Sequence, residues 1–415
     1  MSQRVSRRGF ITGASALAGA VAGAAAIGTS ACSTEEKQSK DHVVDFHGAH
    51  QAGITTKQQD RLHFAAFDVI SDSREDLADL LQTWTEMARR MSKGELAEPG
   101  AMEEVGQASV PGDSGEAYDL PASNLTITVG FGPSLFDQRF GLASAKPKEL
   151  KDLPHFAGDM TRAEISRGDL CIQACADDPQ VAVHAVRNLA RVGTGVVEVR
   201  WSQLGFGHAS ATTKGQQTPR NLFGFKDGTN NVKAEDQDVL DQYIWVNNTN
   251  SWFDGGTYLI ARRIRMLIEN WDRQVLREQE ATFGREKRTG APLGAEDEFD
   301  ALPLDASDEQ GNPLVPLDAH SRLASPVENS GHHMLRRAYN FTDGSDGFGH
   351  LDAGLFFIAI VASPEKTFIP IQSKLAKKDK LNEYVRYESS SIFALPPGLK
   401  DENDWWGRTL FEQTA

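Results

Sequence analysis

Three separate segments of the sequence carry residue types that together could do acid–base and metal chemistry. The first, GFKDGTNN at residues 224–231, holds Asp227 between polar residues and glycines. The second, LDAHSRLASP at residues 317–326, contains His320 and Arg322, and the third, MLRRAYNF at residues 334–341, contains Arg336. A carboxylate can accept and return a proton, an imidazole can ligate a metal, and a guanidinium can stabilise developing negative charge. These segments are therefore the first candidates for a functional site.

Several of these residues also have a simple structural interpretation. Asp227 and Gly228 are typical of a turn between strands, although glycines there also permit the close approach of a flat ligand. His63 stands in an apolar segment and is predicted to be a core residue, as is His184. The remaining cysteines of the globular part lie four residues apart on a predicted strand, about 13 Å and too far for a disulfide. We therefore expect these cysteines, Cys171 and Cys175, to be two small buried hydrophobic residues.

Composition and missing motifs exclude several classes of function. The 415 residues are 40% hydrophobic and 24% charged, which is typical of a globular protein. A net charge of −15 argues against nucleic-acid binding, which needs clustered cations. Two G-x-G sequences, at residues 130–132 and 205–207, lack the third glycine of a dinucleotide loop. P-loop, H-E-x-x-H, G-x-S-x-G and C-x-x-C-H motifs are absent, which argues against kinase, zinc-protease, α/β-hydrolase and c-type haem chemistry.

The first 31 residues are typical of an export signal. Arg7 and Arg8 precede an apolar run rich in alanine and glycine at residues 11–27, the pattern of a twin-arginine signal. Cys32 follows small residues and precedes a polar tether, which resembles a lipoprotein box, with Thr29 where leucine is usual. We expect lipidation of Cys32 at an extracytoplasmic membrane surface, and cleavage near Ala31 with release of a periplasmic protein is the alternative.

Hydrophobic patterns predict two copies of one arrangement of strands and helices. In the first half, strands are predicted at residues 62–70, 125–132, 170–176 and 195–201. Ser73 is expected to cap one helix and Asp178 with Pro179 to open another, which gives the ferredoxin-like order. In the second half, strands are predicted at 243–246, 256–266, 355–362 and 392–394, with a helix at 365–375. The long polar segment at 274–316 is expected to be functional.

The predicted fold is therefore α+β, with two ferredoxin-like domains built on antiparallel sheets. We place a signal at residues 1–31, a tether and lead-in at 32–57, the first domain at 58–210 and the second at 211–415. Sheets of this class often pair edge to edge, which leaves a homo-oligomer open.

The spaced set of segments resembles the dye-decolorising, or Dyp-type, haem peroxidases. Besides the three candidate segments, the resemblance rests on GLFFIAI at 354–360, FHGAHQAGI at 46–54, ADDP at 176–179, RRIRM at 262–266 and GAPLG at 290–294. The resemblance covers nearly all of the chain after residue 45. Within the family, the sequence is most similar to the exported branch associated with bacterial iron uptake. The resemblance implies a fold of the dimeric α+β barrel type with haem b, bound without a covalent link, in the C-terminal domain.

The resemblance also implies a role for each candidate residue. His320 would be the proximal axial ligand of the haem iron, Asp227 the distal acid and Arg336 the distal arginine, with Arg337 as its adjacent alternative. Phe356 and Phe357 would wall the distal pocket, one facing haem and the other the core. Gly228 would lie against the haem, and Arg322 would meet a propionate. A C-terminal aromatic group could relay radicals or simply pack: Trp405, Trp406, Tyr384 and Tyr387.

The function implied is a haem b peroxidase that uses hydrogen peroxide to oxidise phenols, dyes or ferrous iron in one-electron steps. One alternative is a haem- or iron-handling protein that works with an iron permease and its lipoprotein partner. The other is a non-enzymatic α+β binding module without haem. No nucleic-acid partner is expected.

Overall fold

The computed structural model describes residues 43–101, 108–247 and 249–415. The predicted signal at residues 1–31, Cys32 and most of the tether lie outside the described residues. Among the helices that are described, none combines the length and the apolar character needed to cross a membrane.

Ten strands and eight α-helices make up the described part of the chain. The strands are β1 (Arg61–Val69), β2 (Thr126–Phe131), β3 (Leu170–Ala176), β4 (Val197–His208), β5 (Thr257–Met266), β6 (Leu335–Arg336), β7 (Tyr339–Ser345), β8 (Leu351–Val361), β9 (Val385–Tyr387) and β10 (Ser391–Leu395). The helices are α1 (Arg74–Met91), α2 (Pro179–Val192), α3 (Gln237–Tyr243), α4 (Ile268–Trp271), α5 (Leu276–Phe283), α6 (His320–Leu323), α7 (Ile369–Lys378) and α8 (Arg408–Gln413).

Local sequence signals explain the two helices of the first half. The Ser73 side chain accepts a hydrogen bond from the backbone N–H of Asp76, and α1 buries the apolar face that its spacing predicts. The Asp178 carboxylate caps α2 in the same way, with Pro179 in its first turn. Both predicted helix starts are confirmed.

Two four-stranded antiparallel sheets close into one ring. The first has the order β4-β1-β3-β2 and the second the order β7-β8-β5-β10, each the order of a ferredoxin-like unit. Pairing of β4 with β7 and of β2 with β10 joins the two sheets. The short strands β6 and β9 pair with β8 and β5, respectively. The α+β prediction of two ferredoxin-like halves is confirmed. The boundary near residue 210 stays a prediction, because residues 43 onward fall within one compact unit.

Alternate residues of the ring strands contribute to the two largest clusters of the hydrophobic core. One cluster draws on inward side chains of almost every ring strand, including Phe64, Trp201, Phe356 and Phe393. A second cluster lies on the outer face, where α1 and α2 pack against β1 and β3. Cys171 and Cys175 are buried thiols of the first cluster, as predicted.

The prediction of a strand at residues 243–246 is wrong. Leu240 and Ile244 are both buried four residues apart, and the chain there forms α3 and the turn that ends it. A short apolar run does not distinguish a strand from a buried helix end, because both bury it. Strand β7 was not predicted at all, since its second half is polar and exposed.

Candidate active site

A deep cavity lies beside the second-half sheet and contains all three candidate segments. The space between its lining residues, together with the solvent at its open mouth, amounts to about 1480 Å³. Its apolar walls are Ile264, Met266, Phe283, Leu355, Phe357, Phe368, Ile371 and Leu375. Its polar lining includes Asp227, Arg285, His320, His332, His333 and Arg336.

His320 lies on the cavity at the first residue of α6. Its Nδ1 atom lies 2.6 Å from Oδ2 of Asp379, whose side chain is 2% exposed at the end of α7. The other Asp379 oxygen accepts a bond from the backbone N–H of Leu381. Burial opposes charge on the imidazole, but the Asp379 carboxylate outweighs it and raises the pKa of His320. With Nδ1 donating to Asp379, Nε2 is the nitrogen left to ligate a metal.

Asp227 and Arg336 form an ion pair on the same cavity. Nη1 of Arg336 lies 2.5 Å from Oδ1 of Asp227, and Nδ2 of Asn221 donates to Oδ2 at 3.2 Å. The Arg336 backbone is fixed in turn, because its N–H and its carbonyl both bond the Asn231 side chain, each at 2.8 Å. Arg336 also lies on β6, paired with β8. Two segments 109 residues apart therefore meet in one pair.

The charges of this pair act on His320 and on a nearby lysine. Asp227 raises the pKa of His320 and Arg336 lowers it, so the imidazole and the ion pair interact electrostatically across the cavity. Burial, assisted by Arg336, lowers the pKa of Lys233 to about 8. Nζ of Lys233 donates to the carbonyl of Gly228 at 3.1 Å. Burial also lowers the pKa of His333 at the cavity wall.

Gly228 lines the cavity, and its backbone requires glycine. Its φ is +98°, and a Cβ atom there would lie 2.8 Å from the backbone nitrogen of Ala211. The requirement for glycine thus comes from a neighbouring segment of the chain.

Phe357 lines the cavity, whereas Phe356 points into the ring and packs against Phe64 and Trp201. The structure therefore places only Phe357 at the pocket, and the expectation for Phe356 is corrected to its core alternative, since strand neighbours point to opposite faces.

The structure does not place Arg322 on the cavity. Its Nη1 atom donates to the carbonyls of Leu304 and Val315 at 3.1 and 3.2 Å, and its Nε lies 3.4 Å from Glu328. Arg322 therefore joins the preceding loop to α6. These partners and its place off the cavity lining do not support the propionate contact expected of Arg322.

Arg285 is the cavity arginine that the sequence interpretation missed. Its Nη1 donates to the carbonyls of Gly290 and Glu298 at 2.7 and 2.9 Å, and burial lowers its pKa. Among the described residues, no carboxylate lies within ion-pair distance of it. The signal available was its place in the long segment expected to be functional. Arg337, the alternative to Arg336, is fully buried and donates to the Thr56 carbonyl at 2.6 Å.

The other singled-out residues take up structural positions, with one exception. His184 is buried and its Nε2 lies 2.9 Å from Asp113, and His63 is partly buried on β1. Trp406 packs against Phe46, in keeping with the packing alternative. Tyr387 is the exception, because it lines the cavity.

The lining fits a flat, mostly apolar group that carries iron and carboxylates. A histidine with its second nitrogen bonded to a carboxylate is the usual arrangement of a metal-binding imidazole. Apolar walls suit a macrocycle, and Arg285 provides a guanidinium without a carboxylate partner. In the described part of the chain, no group of three or more histidine, cysteine or acidic residues could hold a bare metal ion. The residues present therefore fit haem.

Comparison with known proteins agrees with this fit. The family model described as "Dyp-type peroxidase, N-terminal" matches residues 51–207, and "Dyp-type peroxidase, C-terminal" matches 218–400. The chain is 39% identical to a protein named deferrochelatase from Shigella flexneri over 98% of this chain and 97% of that one. A deferrochelatase from Escherichia coli is also 39% identical, over 96% and 95% of the two chains.

Two solved structures give the same result. Ferric DtpA from Streptomyces lividans is 38% identical, with a TM-score of 0.83 over 92% of this chain and 100% of that one. The Dyp-type peroxidase from Cellulomonas bogoriensis is 35% identical, with a TM-score of 0.80 over 90% and 99%. This chain belongs to the Dyp-type peroxidase family.

Proposed function

We propose that His320 would hold the iron of haem b and that Asp227 and Arg336 would handle the peroxide. The enzyme is a haem peroxidase, which takes hydrogen peroxide and a one-electron donor. The observation that carries the assignment of residues is the pair of contacts facing one cavity, Asp227 with Arg336 and His320 with Asp379. Phe357 and Gly228 would lie along the haem, and Arg285 would meet its carboxylates.

Each residue has a chemical task in this proposal. Bound haem would supply the redox centre that gives two electrons to peroxide and regains them from the donor in two one-electron steps. The Asp227 carboxylate accepts the proton of one peroxide oxygen and returns it to the leaving oxygen. The Arg336 guanidinium stabilises the negative charge that grows on that leaving oxygen, and it orients the carboxylate before reaction. Asp379 holds the His320 imidazole in the tautomer that presents Nε2.

Haem absorbance and peroxide turnover together test these tasks. We expect His320→Ala to bind hemin more weakly than the unaltered protein, because the ligand nitrogen is lost. Asp227→Asn and Arg336→Leu should still bind hemin but lose turnover of a phenolic dye by about 100-fold or more. Asp238→Asn removes an exposed acid on α3 and serves as the charge-matched control. Turnover retained in Asp227→Asn would contradict the assignment.

A second candidate function is haem or iron handling for an uptake system. It is favoured by the 39% identity, over nearly the full chain, to proteins named deferrochelatase. Phenols, dyes and ferrous iron are the donors proposed for the peroxidase, whereas an uptake role would pair the chain with an iron permease and its lipoprotein partner. If iron release from hemin persists in Asp227→Ala and Arg336→Ala, the uptake role is favoured over peroxide turnover.

We propose in addition that the chain is exported by the twin-arginine route and lipidated at Cys32. The support is the sequence alone, with Arg7 and Arg8 ahead of the apolar run. Replacing both arginines by lysine should block export in cell fractionation. Cys32→Ala should abolish labelling with a radioactive fatty acid, and labelling that persists would exclude this site.

A further inference from the structure

The long segment between α5 and α6 packs against the loop that carries Asp227. Glu298, in the middle of this segment, has a side chain only 11% exposed. Its carboxylate bonds the ammonium of Lys226, and its Oε1 accepts a hydrogen bond from Thr229 Oγ1 at 2.9 Å. Lys226 and Thr229 stand on either side of Asp227 and Gly228. One buried carboxylate therefore holds both flanks of the residue proposed as the distal acid.

Further contacts fix the segment itself in place. Arg285 donates to the Glu298 carbonyl at 2.9 Å. Arg220 donates to the carbonyls of Lys287 and Arg288 at 2.6 and 2.7 Å, which joins the segment to the start of the Asp227 loop. Gly290 lies so close to the Lys226 stem that a Cβ atom would be 2.6 Å from its Cδ. These contacts hold Glu298 and its segment in place against the loop that carries Asp227.

We propose that Glu298 is a positioning residue for Asp227, acting through Lys226 and Thr229 from outside the cavity. The inference rests on the role proposed for Asp227 in peroxide turnover. Glu298 does not line the cavity and makes no contact with Asp227, so its action is indirect. Its task is twofold: it clamps the loop in place and it neutralises the Lys226 ammonium.

The charge on Glu298 matters because Lys226 lines the cavity one residue from Asp227. The Lys226 side chain is 19% exposed, so its ammonium would stand largely unmatched without Glu298. It would then add to the charges around Asp227: Arg336 pairs with Asp227, His320 interacts with both of them, and Lys233 and Arg285 interact with Arg336 and with Glu298. An extra cation favours the ionised carboxylate. We define the acid limb as the pH at which half of the peroxide turnover is lost on the acidic side. This pH should therefore move to a lower value.

Two substitutions separate the clamp from the charge. Glu298→Ala removes both, and we expect kcat/KM for peroxide to fall by about 10-fold or more because Asp227 is displaced. Glu298→Gln can still accept from Thr229 but carries no charge. It should keep most of the turnover and still move the acid limb down by roughly half a pH unit or more. Adding Lys226→Met to Glu298→Gln removes the unmatched cation and should return the limb towards its original position.

Hydrogen exchange of the protein prepared without haem gives a readout that does not depend on turnover. The backbone N–H of Asp227 donates to the Pro219 carbonyl at 2.9 Å, and that of Asn231 to Gly228 at 3.1 Å. In Glu298→Ala these amides should exchange at least several-fold faster, whereas Glu298→Gln should keep most of their protection. Glu296→Ala, an exposed glutamate two residues away, is the matched control and should change neither readout.

The outcomes are distinguishable from failure of the proposed function. The positioning role is wrong if Glu298→Gln keeps the original acid limb and Glu298→Ala keeps the original rate of hydrogen exchange. If Asp227→Asn loses turnover in the same experiments, the proposed function still stands. If Asp227→Asn retains turnover, the proposed function fails first. Should the acid limb of Glu298→Gln shift but not return with Lys226→Met, the assigned route through Lys226 is overturned.

Discussion

Replacement of Asp379 is expected to weaken haem binding without touching the cavity lining. Its carboxylate lies 2.6 Å from Nδ1 of His320 and is buried, so no water can take its place easily. Asp379→Ala removes the acceptor and its charge, whereas Asp379→Asn keeps an acceptor but no charge. In both variants Nε2 of His320 becomes a poorer and less firmly oriented ligand.

The size of the effect follows from the kind of hydrogen bond. A bond to a charged partner contributes about 1.5–3 kcal/mol. Since about 1.4 kcal/mol is a tenfold change in an equilibrium constant, the hemin dissociation constant should rise roughly 10- to 150-fold in Asp379→Ala. Losses of about 10- to 100-fold are typical when the second partner of a metal-bound histidine is removed, which agrees. Asp379→Asn should lie between this value and the unaltered protein.

Titration of the haem-free protein with hemin, followed by absorbance, measures the constant directly. Asp318→Asn is the matched control, because it removes an exposed acid two residues from His320 that makes no bond to its ring. Thermal unfolding of each haem-free variant shows whether the fold is retained. If folded Asp379→Ala binds hemin as tightly as Asp318→Asn, the reasoning about Nδ1 is refuted.

Three further changes have expected outcomes of different kinds. Burial lowers the pKa of His63 to about 4. As the pH is lowered from 6.5 to 4, the unfolded chain therefore takes up a proton that the folded chain does not. The free energy of unfolding should fall over this range by up to about 3 kcal/mol. His63→Gln should flatten this loss in urea unfolding at pH 7 and 4.5, whereas the exposed His155→Gln should not; equal slopes would refute it. Gly228→Ala should lower stability by about 1–3 kcal/mol, seen as a lower Tm, because of its left-handed φ and tight neighbour. Arg285→Leu should weaken hemin binding by about 10-fold, while Arg322→Leu should lower Tm and leave hemin affinity within about twofold; the reverse order would contradict the assignment of Arg285.

Much of the first half of the fold could be predicted because its signals are local. The Ser73 cap and the Asp178 cap act within one turn, and strand β3 is an apolar run interrupted only by Gln173. Helix α3 escaped prediction because its short apolar run fits a strand as well as a buried helix end, and strand β7 because its structure depends on partners elsewhere. Strand β7 is defined by pairing with β4 and β8, and its polar end is exposed in that pairing.

The site was predictable in part and for a different reason. His320, Asp227 and Arg336 stand in segments with a recognisable family pattern, and the structure brings all three to one cavity. The partners of Arg322 could not be predicted from its spacing. Its position two residues after His320 does not indicate which backbone carbonyls its side chain contacts. Arg285 carried no motif of its own, and only the folded segment shows that it lines the cavity.

The class of fold, the family and the three residues on which the proposed chemistry depends could all be inferred from the sequence. This was possible because capping, strand alternation and motif spacing are properties of neighbouring residues. Three features become visible only in the folded chain: the two sheets close into one ring, Asp379 bonds the His320 ring, and Glu298 bonds the residues on both flanks of Asp227. The contacts of Asp379 and of Glu298 join residues 59 to 72 positions apart, and the pairs that close the ring join residues still more distant. They arise from packing of elements distant in the chain, which no local pattern encodes.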